Sequence, residues 1–383
     1  MKKFQARAIL TRKHKTVIFI DALCEGEVLQ VMVPRGIMPD GFDINVGDIF
    51  EVQCTQERNR SNRLVWAAHT MRLVSNCGIN VSHEIKNCKD ILKLNRGMAI
   101  LGRDNVKMWR FRSEFLNQIA ALMVQLGMTR AYSTALMEYR GTSTATPFSC
   151  CGQFYEHAFL KITHEIELKK TCILTMQSVF DLAYVYRDTY RSTKHVPEIM
   201  LLEGVIVGNE VNNLVDIVRR IVELAILLAR KYDVPYDVRF ENIAIVDFSQ
   251  MIDPTQEDYQ ERFSRYSNDI STPTIVVNAP IESPFVRTDD TGTKHEVKFF
   301  VNHTSFYHGY ADENTYEVLR DAFQSQQEVL VQKGVPAELP SDYLELLKMG
   351  APETYSFGFG IDRFLTHFLM SDSIQRIAYL LGI

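Results

Sequence analysis

The stretch YRDTYRSTKHVPEIMLLEGV, Tyr186 to Val205, sets Arg187, Arg191, Lys194 and His195 among carboxylates and apolar residues. Upstream, VFDLAYVY alternates Phe180, Leu182, Tyr184 and Tyr186 with other residues at the period of a strand. Downstream, IMLLEGVIV is aliphatic and β-branched. The charges therefore fall on and between two predicted strands rather than along a solvated helix face. Charges fixed in this way point to a polar ligand held by side chains on a hairpin.

A second segment, GAPETYSFGFGIDRFLTHFLM, reads as a strand with two glycines running into an apolar helix that opens on Asp362 and Arg363. Glycine within a strand lets a ligand or another backbone come close. An arginine in the first helical turn opposes the helix dipole, which favours anions there. Its placement against local preference suggests a ligand contact; a structural ion pair is the alternative. Glu165 and Glu203, taken singly, read equally well as salt-bridge residues.

The chain lacks the G-x-x-x-x-G-K-[ST] phosphate loop, H-E-x-x-H, G-x-S-x-G and a helix-entry G-x-G-x-x-G. Its ten histidines do not cluster at metal-ligand spacing. A nucleotide would have to be bound by side chains on a sheet.

The elements that must position these residues follow from pattern. The chain has 383 residues, 46% hydrophobic and 23% charged, which suits two domains of an ordinary globular protein. Residues 1–75 contain five short strand-like runs, FQARAIL, TVIFIDAL, EVLQVMV, DIFEVQCTQ and RLVWAAHTMRLV, separated by polar turns. These predict a closed barrel of the oligonucleotide/oligosaccharide-binding (OB) kind, with a β-sandwich as the alternative. Residues 76–105 read as a linker. VKMWRFRSEFLNQIAALMVQLGM then repeats apolar residues at helical spacing and stops at a glycine. The remainder to 383 mixes strands with helices such as VNNLVDIVRRIVELAILLARKY, predicting an α+β domain on an antiparallel sheet with flanking helices.

The net charge of −5 argues against bulk coating of nucleic acid but leaves room for local basic surfaces. Seven cysteines, at 24, 54, 77, 88, 150, 151 and 172, form no C-x-x-C pair and read as reduced thiols of the cytosol. The start MKKFQARAILTRKHK lacks the apolar core of a secretory signal, and no apolar run reaches the roughly 20 residues that span a bilayer. A cytoplasmic protein without a membrane partner is expected.

The Ser-Phe-Gly-Phe-Gly-Ile-Asp-Arg-Phe segment resembles motif 3 of class II aminoacyl-tRNA synthetases, and Tyr186–Val205 resembles their motif 2. RFRSEFLNQIAALMVQLGM followed by GTSTATPF is similar to motif 1 and the small-residue segment after it. FLKITHEIELKK and YLELLKMGAP resemble segments of the lysyl branch of the aspartyl/asparaginyl/lysyl subgroup. TRKHKTVIFIDAL and EVLQVMV look like the anticodon-binding barrel of the same enzymes. The likeness covers nearly the whole chain in the correct order.

This resemblance implies an OB-fold barrel followed by a class II catalytic domain that uses ATP and Mg2+ to convert an amino acid to its adenylate. It places Arg187 on the α-phosphate, His195 on the outer phosphates and Arg363 on the γ-phosphate. Gly360, Thr189 and Ile199 fall at further ATP positions. Glu165 matches the acceptor of the α-ammonium, Glu203 the partner of a lysine side-chain ammonium, and Val205 a neighbouring pocket position. Ser305 and Asp312 fall where two magnesium-binding glutamates are expected, and Phe19, Gln30 and Arg63 where the barrel meets tRNA. Motif 1 implies a homodimer.

The departures concentrate where ligands bind. Thr189 replaces the glutamate that holds the adenine amino group, and Ile199 the aromatic that stacks on the base. Val205 replaces an aromatic near the lysine ammonium, and Ser305 a metal-binding glutamate. Ala135 stands for the motif 1 proline, Gln375 for an arginine and Arg63 for a glutamate. These changes suggest a diverged paralogue. Two expectations follow: an adenylate-forming enzyme for lysine or another basic amino acid, transferring it to tRNA or another acceptor; or a catalytically impaired relative that binds amino acid or tRNA.

Overall fold

The computed structural model describes residues 1–38, 43–59, 62–78, 103–139, 145–190, 192–208, 212–254, 256–281, 283, 285–290, 292–332 and 339–378. Most of the expected linker, Cys88, Arg191 and the first four residues of GTSTATPF lie outside them. The chain forms two compact units, one containing Met1–Ser113 and Tyr232–Val234, the other Glu114–Lys231 and Pro235–Ala378.

The first unit carries five strands, β1 (Lys2–Lys13), β2 (Val17–Cys24), β3 (Glu27–Pro34), β4 (Ile49–Arg58) and β5 (Leu64–Ser75). They close into a barrel in the order β1-β2-β3-β5-β4, so the barrel and not the sandwich is formed. Period-two alternation drives closure: Ile18, Ile20, Ala22 and Cys24 of β2, Val31 and Val33 of β3, and Phe50, Val52 and Cys54 of β4 all point into one core. Phe19 and Gln30 have the other parity. On that outer face, Asp21 accepts hydrogen bonds from Gln30 (3.1 Å) and Arg12 (2.8 Å). Arg63 is exposed at the turn into β5, where its backbone N–H donates to Asn59 Oδ1 (3.0 Å).

Helix α1 (Arg103–Gln125) buries Phe111, Phe115, Ile119 and Met123, a stripe with the i, i+4 spacing of one helix face. The second unit is built on eight strands: β6 (Thr129–Arg130), β10 (Val179–Tyr186), β11 (Glu198–Val207), β12 (Ala244–Asp247), β13 (Thr274–Pro280), β14 (His295–Val301), β15 (Thr304–Ala311) and β16 (Thr354–Gly360). Their order is β12-β13-β14-β15-β16-β11-β10-β6, antiparallel except for the two edge pairs β12/β13 and β10/β6. A small separate sheet joins β7 (Leu136–Met137), β9 (Ala158–Leu160) and β8 (Ser149–Cys150). The helices of this unit include α2 (Glu165–Thr175), α3 (Asn212–Tyr232), α4 (Tyr259–Asp269), α5 (Tyr316–Gln332), α6 (Ser341–Leu347), α7 (Ile361–Phe368) and α8 (Ile374–Ala378).

The two faces of the large sheet have different tasks. Tyr307 donates from its hydroxyl to the Leu214 carbonyl of α3 (2.9 Å) and stacks on Phe357 of β16. Gly204 lies so close to Phe357 that a Cβ there would stand 2.5 Å from the ring, so glycine is required for this packing. The opposite face carries a cross-strand row in register: Lys298, His308, Gly358, Glu203 and Asp181, one residue from each of β14, β15, β16, β11 and β10. The missing side chain at Gly358 leaves a gap over β16 into which Glu203 leans, its Cγ and Oε1 3.6 Å from where a Cβ would stand.

Candidate active site

That gap belongs to a cavity of about 600 Å³, a size that suits a small-molecule ligand. Arg187, Thr189, His195, Ile199, Gly360 and Arg363 line it, as do Glu165, Glu203, Val205 and Ser305. Ten residues singled out in the sequence, spread from 165 to 363, are therefore brought together. Asp312, Phe19, Gln30 and Arg63 are not among the lining residues.

The hairpin β10–β11 positions the first cation. Arg187 follows β10 directly, and its N–H donates to the Pro197 carbonyl (2.8 Å), closing the base of the loop. Its guanidinium is half-buried, makes one long bond to the Ile162 carbonyl (3.3 Å) and leaves Nε buried without a partner. Arg363 sits in the first turn of α7. Its neighbour Asp362 is fully buried and accepts the Met200 N–H (2.7 Å), which locks the helix start against β11. The Arg363 guanidinium reaches only the Ser305 carbonyl, at 3.4 Å. Burial lowers the pKa of both arginines, and Arg187 lowers that of Arg363 further. Neither has a carboxylate within ion-pair distance among the described residues. Two half-buried guanidiniums that repel each other and lack a carboxylate partner among the described residues suit an anion.

The carboxylate side is held differently. Thr163 places its hydroxyl 2.8 and 2.9 Å from the two oxygens of Glu203, and the His164 N–H donates to the same group. Glu165, the first residue of α2, accepts from the Tyr310 hydroxyl (2.6 Å) and lies 3.3 Å from the Lys169 ammonium. A carboxylate at a helix N-terminus is favoured by the dipole. Burial pushes the Glu203 pKa up to about 7; Glu165 adds to the rise, while His164, Thr163 and Arg187 oppose it.

Sequence reasoning missed several lining residues. Lys194 adds a cation and His308 an imidazole to the cavity, and Tyr310 and Thr163 orient the two glutamates. His308 Nδ1 lies 3.1 Å from the buried Glu296 carboxylate, which also pairs with Lys298. Desolvation, then the charges of Lys298, Arg363 and Arg187, pull the His308 pKa down and favour the uncharged imidazole. Lys194, beside His195, could have been read from the sequence; His308 could not, because only strand register carries it there.

The donors for a divalent cation do not fit. Magnesium takes hard oxygen ligands, usually carboxylates and phosphates. The Ser305 hydroxyl donates to the Tyr307 carbonyl (3.2 Å). Asp312 is fully buried away from the cavity lining, paired with Lys169 and accepting from Thr354 (2.6 Å) and Ser356 (2.9 Å). Among the described residues, no group of three or more His, Cys, Asp or Glu could hold a metal ion.

Comparison with known proteins agrees with this architecture. Residues 89–380 match the family of tRNA synthetases class II (D, K and N). The chain is 22% identical to lysine–tRNA ligase 2 of Methanosarcina mazei over 96% of its own length and 82% of that protein. It is 21% identical to lysine–tRNA ligase of Saccharolobus solfataricus over 96% of its length and 84% of that protein. It is also 24% identical to a lysylphosphatidylglycerol biosynthesis bifunctional protein of Mycolicibacterium vanbaalenii, over 52% of this chain and 19% of that one. With the closed barrel, the antiparallel sheet and a family match across most of its length, the chain belongs to the class II tRNA synthetases of the D, K and N group.

Proposed function

We propose that this protein activates a basic amino acid, lysine in the first instance, as an aminoacyl-adenylate and passes it to tRNA or another acceptor. The observation that carries the reading is one cavity lined by two arginines without a carboxylate ion-pair partner among the described residues, Arg187 and Arg363, and by two carboxylates, Glu165 and Glu203. In the activation step an amino-acid carboxylate oxygen bonds to the α-phosphorus of ATP, and the bond to pyrophosphate breaks. Arg187 and Arg363 stabilise the charge that builds on the phosphoryl oxygens. Glu165 and Glu203 hold the substrate ammonium groups, and an uncharged side chain is rejected because a carboxylate would stay unpaired. The family implies a divalent metal as well as ATP. Neither Ser305 nor Asp312 offers it a ligand facing the cavity. The barrel, with Phe19, Gln30 and Arg63, is the proposed tRNA surface, α1 the proposed homodimer element and the cytoplasm the proposed compartment.

Amino-acid-dependent ATP–pyrophosphate exchange with lysine, ornithine, β-lysine, arginine and the standard set tests this. Exchange with a basic amino acid is expected; silence across the panel from folded protein would overturn the activation reading. The pH profile adds a second check. Glu203 is uncharged below about pH 7 in the free protein and charged above it. Affinity for the cationic substrate should therefore rise as pH increases, by up to about tenfold per unit below that value, and level off above it. Binding that is flat from pH 5.5 to 8 would remove Glu203 from the substrate contact.

Thr189 and Ile199 favour a second reading, a relative that binds without turnover, since losing the base-edge bond and the stacking ring could each cost about 1–3 kcal/mol. Activity that appears only after Thr189→Glu, Ile199→Phe and Ser305→Glu would establish it.

A further inference from the structure

The cavity treats positive charge in an unusual way for a nucleotide site. Every carboxylate near the strand positions expected to hold metal is already engaged or shut out. Glu296 is fully buried under Lys298 and His308, and Asp312 is sealed by Lys169, Thr354 and Ser356. Of the carboxylates that line the cavity, Glu203 is held by Thr163 and the His164 N–H, Glu165 by Tyr310 and Lys169, and Asp188 lies on the exposed hairpin. The remaining wall presents Arg187, Arg363, Lys194, His195 and His308.

We propose that this wall takes a nucleoside polyphosphate without a divalent cation, with Arg187, Arg363 and Lys194 supplying the neutralising charge and His195 standing beside them. The inference rests on the reading of the cavity as an ATP site, and deepens it. A divalent ion placed here would find Glu296 and Asp312 already paired with lysines and would be repelled by Arg187, Arg363 and Lys194, and repulsion between like charges is strong where water is partly excluded. Arg187 has an unused buried Nε–H, and Arg363 has only a 3.4 Å bond to a carbonyl, so both retain donors for phosphate oxygens. Glu296, held by Lys298, anchors His308 through Nδ1 and turns the imidazole into a fixed member of the wall. Lys194 and His195 stand on the exposed part of the hairpin, where they can fold over the outer phosphates. The ring of His195 is steadied by Ser192, whose hydroxyl lies 3.0 Å from Nδ1.

The test is calorimetric titration of the full chain with ATP, once in EDTA and once in excess Mg2+. The two dissociation constants should agree within about threefold, since the side chains and not the ion carry the neutralisation. The exposed-loop change Lys194→Ala should weaken ATP binding in EDTA by about three- to tenfold, without risk to folding. A loss of affinity greater than about tenfold on removing Mg2+ would overturn the inference and leave the activation reading standing. Failure to bind ATP in either buffer would overturn both. Equal binding in the two buffers with silent pyrophosphate exchange would support this inference and remove the activation reading alone.

Discussion

Arg187→Ala should lower amino-acid-dependent pyrophosphate exchange by about two to three orders of magnitude, the cost of one preorganised charge donor at a transition state. The same change should leave thermal stability unchanged or raise it. Arg187 is half-buried, has no carboxylate partner among the described residues and leaves Nε–H unbonded, so the folded protein bears a desolvation cost with little return until a ligand arrives. Arg187→Lys keeps the charge but not the planar fork, and should recover only part of the rate. Exchange assays and a thermal melt on the three proteins check both halves. A variant that melts well below the parent would mean that Arg187 is a structural residue, and the anion site would lose its central member.

The second large effect falls outside the cavity. Lys169 is fully enclosed between Asp312 and Glu165, with its ammonium 4.7 Å from the centre of the Phe285 ring. Burial alone would pull its pKa down, but Asp312 and Glu165 together outweigh that and hold it raised. Lys169→Met removes the cation and leaves the Asp312 carboxylate buried with only the Thr354 and Ser356 hydroxyls. The expected destabilisation is about 3–5 kcal/mol, because an uncompensated buried charge is left behind. The double variant Lys169→Met with Asp312→Leu should regain most of it, since the pair itself contributes little once both charges are gone. Urea unfolding read by intrinsic fluorescence gives both values. A single-variant loss under about 1 kcal/mol would show that Asp312 finds other partners or takes up a proton. The same lysine also steadies Glu165, so amino-acid binding should weaken even where the protein stays folded.

These two residues illustrate how the family pattern was reused. Asp312 matches a metal-ligand position in sequence, yet packing has converted it into half of a buried ion pair with Lys169. Ser305 keeps its place beside Arg363, but its backbone carbonyl, not its side chain, meets the guanidinium. On the proposed reading, divergence has kept the cations that would face phosphate and changed the groups that would hold a metal.

Much was legible in the sequence alone. Alternation in five short runs pointed to a barrel or a sandwich, because a strand with one apolar face must bury it against others, and strand pairing in the fold closed the barrel. The i, i+4 stripe of α1 and the strand-to-helix run at Gly358–Arg363 were equally plain, since both follow from local periodicity. Arg187, Arg363, Glu165 and Glu203 were named from their motifs, and the fold brings all four to one cavity. What tertiary structure decided was pairing. Strand register sets Lys298, His308, Gly358, Glu203 and Asp181 side by side, although they span residues 181 to 358. Whether a carboxylate faces a ligand or a buried lysine depends on neighbours that a linear chain does not contain. Hydrogen-bond register and close packing act between distant segments, and for that reason Lys169 could claim Asp312, and Glu296 could claim His308, only in the folded chain.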